Sequence, residues 1–157
     1  MLKFNNININ KLNRLSKKLS LLLEPSDIVG FTGDLGAGKT TLIRLLASQL
    51  GIARNEVVSP TFVLLQTYDG KYPLYHWDLY RLKNEKELYD LDYEEYFFGS
   101  GISFVEWFDK LESLKPDSYL EVSMQSTGDE ERSVSFEGQG PRGKVLVKRL
   151  GELNWKI

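Results

Sequence analysis

The sequence contains no cysteine and a single histidine, His76. The first absence removes disulfide frameworks, thiolate metal sites and cysteine nucleophiles, and the second removes histidine-rich zinc sites and two-histidine acid–base schemes. Any metal must then be held by oxygen ligands. An excess of positive charge is missing too. Lys and Arg number 20 against 22 Asp and Glu, with a pI near 5.5, so nothing global draws the chain to phosphate backbones or anionic membranes. No run approaches the ~18 apolar residues of a membrane span, and the first residues lack the apolar core of a secretory leader. What remains, 41% hydrophobic and 27% charged residues, is a globular composition. Residues 1–157 read as one domain without repeats or linkers, and a soluble cytoplasmic protein is expected.

Ile9, Leu12, Leu15, Leu19 and Leu22 fall on one helical stripe with Lys11, Arg14, Lys17 and Lys18 on the other face, and Pro25 ends that helix. Residues 27–32 form a short apolar run of the buried-strand type, and Leu42, Leu45, Leu46 and Leu50 mark a second helix closing at Gly51. Residues 61–68 and 72–80 predict a hairpin across Asp69-Gly70-Lys71, so part of the sheet is antiparallel. Residues 84–98 interleave acids with Tyr and Phe and predict two short helices with an acidic outer face. A further strand over 101–107 ends in a carboxylate, Glu106, and a short helix over 109–115 stops at Pro116. Alternation over 119–126, 132–137 and 144–149 predicts C-terminal antiparallel strands. The basic group Arg142, Lys144, Lys148 and Arg149 then reads as a solvated strand edge, with RNA contact or closure over phosphates as the other readings.

Gly33-Asp34-Leu35-Gly36-Ala37-Gly38-Lys39-Thr40 fits the pattern G-x-x-x-x-G-K-[ST] between an apolar strand and a helix, which is the context the chemistry needs. Glycines let backbone amides wrap phosphate oxygens at a positive helix N-terminus. Lys39 is expected to reach the β- and γ-phosphates, and the Thr40 hydroxyl to join the octahedral shell of Mg²⁺. Nucleoside triphosphate binding follows as the expectation. Hydrolysis further needs an acid at a strand end, and Glu106 and Asp78 both qualify. Asp78 reads equally as a solvent-facing hairpin acid or a partner of Arg81. Thr61 lies 21 residues past Thr40, where it is either a γ-phosphate sensor on a returning loop or the opening residue of a strand. His76, beside Trp77, is read as packed and hydrogen-bonded rather than catalytic.

The run from Gly33 to Thr41, Ser59-Pro60-Thr61-Phe62, the stretch His76-Trp77-Asp78-Leu79-Tyr80-Arg81-Leu82 and Val105-Glu106-Trp107 stand in the order that resembles the TsaE family of tRNA threonylcarbamoyladenosine biosynthesis ATPases. The resemblance covers most of residues 27–110. It implies an α/β, P-loop NTPase-like three-layer fold with a mixed parallel and antiparallel sheet flanked by helices. It also implies an ATPase that uses ATP/ADP and Mg²⁺ and assists TsaD and TsaB in modifying the adenosine beside the tRNA anticodon. Contact with tRNA would be indirect and none with membrane is implied. By position, the resemblance assigns Gly33, Asp34 and Leu35 to Thr40, with Thr41, to the nucleotide, Thr40, Glu106 and Asp78 to Mg²⁺, and Lys39, Asp78, Glu106 and Thr61 to hydrolysis. Arg132 falls at a basic nucleotide contact. Relatives often place a proline after the Glu-Trp pair, where this chain has Phe108. Thr61 and the acidic, aromatic segment 85–98 are expected to couple nucleotide state to partner docking. A GTPase would need N-K-x-D downstream of the loop, and the near match Asn10-Lys11-Leu12-Asn13 lies upstream without the aspartate, so adenine is favoured. A non-catalytic ATP-dependent adaptor and a small-molecule kinase are the alternatives.

Overall fold

A computed structural model describes residues 1–155. The chain runs as β1 (Leu2–Ile7), α1 (Ile9–Ser20), β2 (Ile28–Thr32), α2 (Lys39–Gln49), β3 (Leu65–Asp69), β4 (Pro73–Asp78), α3 (Lys86–Asp90), α4 (Tyr93–Phe97), β5 (Ile102–Glu106), β6 (Tyr119–Ser126), β7 (Arg132–Gln139) and α5 (Gly140–Glu152), with single 3₁₀ turns at Arg54–Glu56 and Phe108–Lys110. All seven strands join one sheet in the order β1-β7-β6-β2-β5-β4-β3. Its centre is parallel, since β2 pairs with β5 and β6 and β4 pairs with β5, and both flanks are antiparallel. The chain therefore adopts the expected α/β architecture with a mixed sheet flanked by helices.

Alternation along β2 sends its side chains to opposite layers. Val29 and Phe31 pack with Phe104, Leu120, Val122 and Phe136 against Leu15 and Leu19 of α1, Leu42 and Leu46 of α2, and Leu146 and Leu150 of α5. Each such fully buried side chain contributes about 1.5–3 kcal/mol relative to exposure. Ile28, Trp77 and Val105 point the other way, against Leu88, Tyr93 and Phe97 of α3 and α4 and against Phe108, Leu111 and Leu114. Gly30 lies under that second layer, where a Cβ would stand 2.2 Å from Phe108 Cγ. The second layer covers only part of the sheet. On β6 and β7 the residues facing it are Glu121, Ser123, Ser135 and Glu137, which remain partly or fully exposed.

Several expectations change. Residues 144–149 are helix, inside α5, because Leu146 and Leu150 bury at a spacing of four while Lys144, Lys148 and Arg149 face solvent. The basic group therefore lies on no strand edge. Arg142 is turned inward, with Nε and Nη2 donating at 2.7 Å to the two carboxylate oxygens of buried Asp27 and Nη2 also to Leu22 O at 2.8 Å. Asp27 precedes the start of β2 and the glycine-rich loop follows its end, so Arg142 does not close over that loop. β1 was not anticipated: it pairs antiparallel with β7, its register breaking between Phe4 and Ile7, where Asn6 adopts φ 54°. The strand read from residue 61 begins at Leu65, after Leu64 at φ 66°. The helix over 109–115 shrinks to the turn Phe108–Lys110. Ile9 leaves the α1 stripe and is exposed, and Asn8 caps that helix by accepting from Lys11 N at 3.0 Å.

Candidate functional site

Register decides where the chemistry gathers. Phe31 of β2 and Asp78 of β4 are both level with Glu106 of β5, so the three strands finish along one edge of the sheet. The loop 33–38 leaves β2 at that edge and turns into α2. Gly33 sits at φ 136° with its α-carbon against β6, where a Cβ would meet Met124 O at 2.2 Å. Gly38, the N-cap of α2, takes φ 103° and provides no side-chain cap, which leaves the first-turn amides of α2 directed at the mouth of the loop. An anion is the natural complement of that geometry.

Lys39 lies beneath the loop and is buried. Its Nζ donates to Gly33 O at 2.6 Å and Asp34 O at 3.0 Å and stands 4.1 Å from the centroid of the Trp107 ring. Burial pushes the ammonium below the usual lysine range, while Glu106, Asp78, Asp109 and Asp34 pull it back up. Trp107, at φ 58°, also packs against Tyr80, the rings tilted by 44° with centroids 5.0 Å apart.

Two carboxylates finish the floor, and each has its own hydroxyl partners. Glu106 Oε1 accepts from Thr40 Oγ1 at 2.6 Å, and Oε2 lies 2.7 Å from His76 Nε2. Asp78 Oδ2 accepts from Ser59 Oγ at 2.5 Å and Thr61 Oγ1 at 2.9 Å, while Oδ1 takes the Tyr80 amide at 3.0 Å. Asp78 is buried, so it is neither a solvent-facing acid nor one of the ion-paired carboxylates among the described residues. Thr61 precedes β3 instead of opening it and is tied to Asp78. His76 is fully buried and hydrogen-bonded, as read.

A cavity of about 310 Å³ is lined by Leu35, Gly36, Gly38, Lys39, Thr40, Thr41, Ser59, Thr61, Asp78, Tyr80, Glu106 and Trp107. The structure thus gathers Leu35, Gly36, Gly38 and Lys39 to Thr41 of the glycine-rich loop and helix start with Thr61, Asp78 and Glu106 in one place, while Gly33, Asp34 and Ala37 do not line it. Arg132 stands behind the loop, its Nε donating to Ala37 O at 3.0 Å. It lines an adjoining groove of about 350 Å³ with Ile7, Asn8, Ile9, Leu12, Gly38, Thr41, Met124 and Glu130. Sequence reasoning missed Ser59, Tyr80 and the tie between His76 and Glu106. Strand alternation, which puts His76 on one face with Asp78 and Phe104 on one face with Glu106, is the sequence signal for the last. In segment 85–98, Leu88, Tyr93 and Phe97 are core, which leaves Tyr89 and Phe98 as its exposed large apolar side chains. Among the described residues no three histidine or carboxylate groups converge as a metal cluster, and no helix is long and apolar enough to cross a membrane.

Fold and site together define an α/β protein whose glycine-rich strand-to-helix loop opens at the carboxyl ends of parallel strands, above two buried carboxylates. The family model described as "Threonylcarbamoyl adenosine biosynthesis protein TsaE" matches residues 7–134, and the chain belongs to the TsaE family. It is 39% identical over 150 residues to the tRNA threonylcarbamoyladenosine biosynthesis protein TsaE of Bacillus subtilis, covering 95% of this chain and 93% of that one. The protein of the same name from Rickettsia conorii is 39% identical over 124 residues, covering 78% and 70%. The crystal structure of Bacillus subtilis YdiB superposes with a TM-score of 0.78 at 34% identity, over 96% of this chain and 93% of that one.

Proposed function

We propose that this protein acts in tRNA threonylcarbamoyladenosine biosynthesis as a cytoplasmic ATPase that binds ATP with Mg²⁺ and hydrolyses it slowly while assisting TsaD and TsaB, touching tRNA only through that complex. Family membership supports the pathway. The observation that carries the nucleotide chemistry is the direct pairing of Thr40 Oγ1 with Glu106 Oε1 beside buried Lys39, at the mouth of an uncapped helix.

The donor set fits Mg²⁺. A hydroxyl and one carboxylate suffice for an ion that keeps most of its octahedral shell for phosphate oxygens and water, which agrees with the lack of a convergent acidic cluster among the described residues. Mg²⁺, when bound, supplies charge neutralisation at the β- and γ-phosphate oxygens. Thr40 and Glu106 would hold it, with Asp78 nearby. Lys39 would exchange the Gly33 and Asp34 carbonyls and the Trp107 face for phosphate, an exchange favoured by its strained burial. The amides from Gly33 to Thr41 would surround the phosphates. The groove beyond Gly38 and Thr41, apolar at Ile7, Leu12 and Met124 and polar at Asn8 and Arg132, would take the nucleoside.

Asp78 holds Ser59 and Thr61, so the loop bearing them sits over the cavity. A hydroxyl that can leave Asp78 for a γ-phosphate gives that loop two positions, and partners that prefer one position would sense the nucleotide. Exposed Phe62 and Val63 follow Thr61 directly and would carry the change outward.

The test is phosphate release from Mg-ATP, with Mg-GTP as control, by the chain alone and with TsaD and TsaB added. Stimulation confined to ATP is expected. Glu106→Gln should keep nucleotide binding measured without Mg²⁺, lose tightening by Mg²⁺, and lower turnover by about 10²-fold or more. If Mg-free binding and turnover fall together, the division of roles between Lys39 and Glu106 is wrong.

A further inference from the structure

His76 is fully buried on β4, one strand away from Glu106, and its Nε2 lies 2.7 Å from Glu106 Oε2. The other oxygen of the same carboxylate takes the Thr40 hydroxyl. His76 Nδ1 is buried and forms no hydrogen bond among the described residues. A buried N–H without an acceptor is costlier than a bare ring nitrogen, whose lone pair tolerates an apolar wall. The geometry therefore favours the form that carries its proton on Nε2 and leaves no donor stranded at Nδ1. In that form the ring donates to Glu106 and does not accept from it.

We propose that His76 is a positioning residue for Glu106: by donating from Nε2 to Oε2 it fixes the carboxylate plane so that Oε1 stays turned toward Thr40 and the ion that pair would hold. This rests on the Mg-nucleotide reading above. Without the bond, the carboxylate keeps only Thr40 as a side-chain partner among the described residues, and its terminal torsion has broad, shallow minima. The ladder next to it does not restrain it, because Asp78, level with Glu106 on β4, spends its oxygens on Ser59, Thr61 and Tyr80. The only lateral bond to Oε2 among the described residues comes from His76. Partners that orient a ligating group in this way typically cost 10–100-fold in metal affinity when lost.

Because the chain has one histidine, long-range ¹⁵N NMR of its imidazole is unambiguous. The expected spectrum has a protonated Nε2 and an unprotonated Nδ1. A proton on Nδ1 with none on Nε2 overturns the proposal, since Nε2 then cannot donate. The second arm measures binding of a fluorescent N-methylanthraniloyl ADP with and without Mg²⁺, alongside thermal unfolding, for the wild type, His76→Gln and His76→Phe. Gln places an amide N–H near the position of Nε2 and is expected to keep the tightening by Mg²⁺. Phe is expected to bind the analogue without Mg²⁺ as the wild type does, and to lose about tenfold or more of the Mg²⁺ effect. A His76→Phe protein with the full Mg²⁺ effect overturns the positioning role alone. So does equal loss in Gln and Phe that tracks their melting temperatures, which is the mark of a purely structural histidine. A wild-type chain that does not bind the analogue refutes the nucleotide reading and this proposal with it.

Discussion

Lys39 carries a cost in the folded chain. Burial lowers its pKa there, so the unfolded chain holds the proton more tightly. The cost is present at neutral pH and is relieved as pH rises toward the ordinary lysine value of 10.5. Replacing Lys39 with Met should accordingly leave the melting temperature at pH 7 no lower than that of the wild type. It should also flatten the rise of stability on the alkaline side and weaken nucleotide binding by about 10–100-fold. Melting curves across pH, read beside a binding titration, check all three. A drop in melting temperature with binding retained would place Lys39 among the fold's supports. The loop residues and Lys39 were legible because the motif is local. The environment of Asp78 was not, since Ser59 and Thr61 reach it across 19 and 17 positions of chain.

At the scale of elements, α5 shows how a pattern misleads. Val145-Leu146-Val147, flanked by Lys144 and Lys148, is a short β-branched apolar run of the kind strands use, but Gly140 at φ 69° and Pro141 in the first turn start a helix. Leu146 and Leu150 then select the period of four. β1 was hidden by Asn5 and Asn6, poor strand formers that occupy a bulge. α5 is pinned by Arg142, whose side chain is 29% exposed, to a carboxylate that is almost wholly buried. Arg142→Ala strands Asp27 and should cost about 3 kcal/mol, near the low end for a broken buried pair because the arginine is partly wet. That corresponds to a fall in melting temperature of about 6–12 °C for a chain of this size.

A second pin joins α3 to the loop after β5. Glu85 accepts from Ser113 Oγ at 2.5 Å and from the amides of Glu112 at 2.8 Å and Leu114 at 3.2 Å. The Ser113 hydroxyl, helped by those amides, holds its carboxyl below the usual glutamate range. The carboxylate's contribution is therefore complete above the unfolded value near 4.5 and is lost as pH falls through the lower folded value. Hydrogen exchange at pH 6 should show the Glu112 and Leu114 amides opening faster in Glu85→Ala, with α2 unaffected. Unchanged exchange would mean the clasp does not restrain that loop.

For the whole molecule, the sheet's mixed topology confines the chemistry to one edge. Parallel β2, β4 and β5 finish there together while β6 runs on to Ser126, and the antiparallel flanks extend the sheet on both sides without adding a carboxylate to the floor. A ligand bridging the loop, β4 and β5 stabilises every element that supports them. Mg-ADP at 100 times its dissociation constant should add about 2.7 kcal/mol and raise the melting temperature by about 5–10 °C, with a smaller rise for Mg-GDP at the same concentration. Equal shifts would remove the preference for adenine. The order of motifs and the strand–loop–helix unit were readable from sequence because each is contiguous. The half-covered second face of the sheet was not, because it depends on which strands become neighbours.

Gly30 offers a caution for genetics. It touches no part of the cavity, yet Phe108, which fills the place of its missing side chain, stands two positions after Glu106. A substitution there must push the ring away and with it the chain leaving the carboxylate. In a library screened for activity, position 30 would therefore score like a catalytic residue. Only a parallel readout of folded protein abundance would separate a lesion in the scaffold from one in the chemistry.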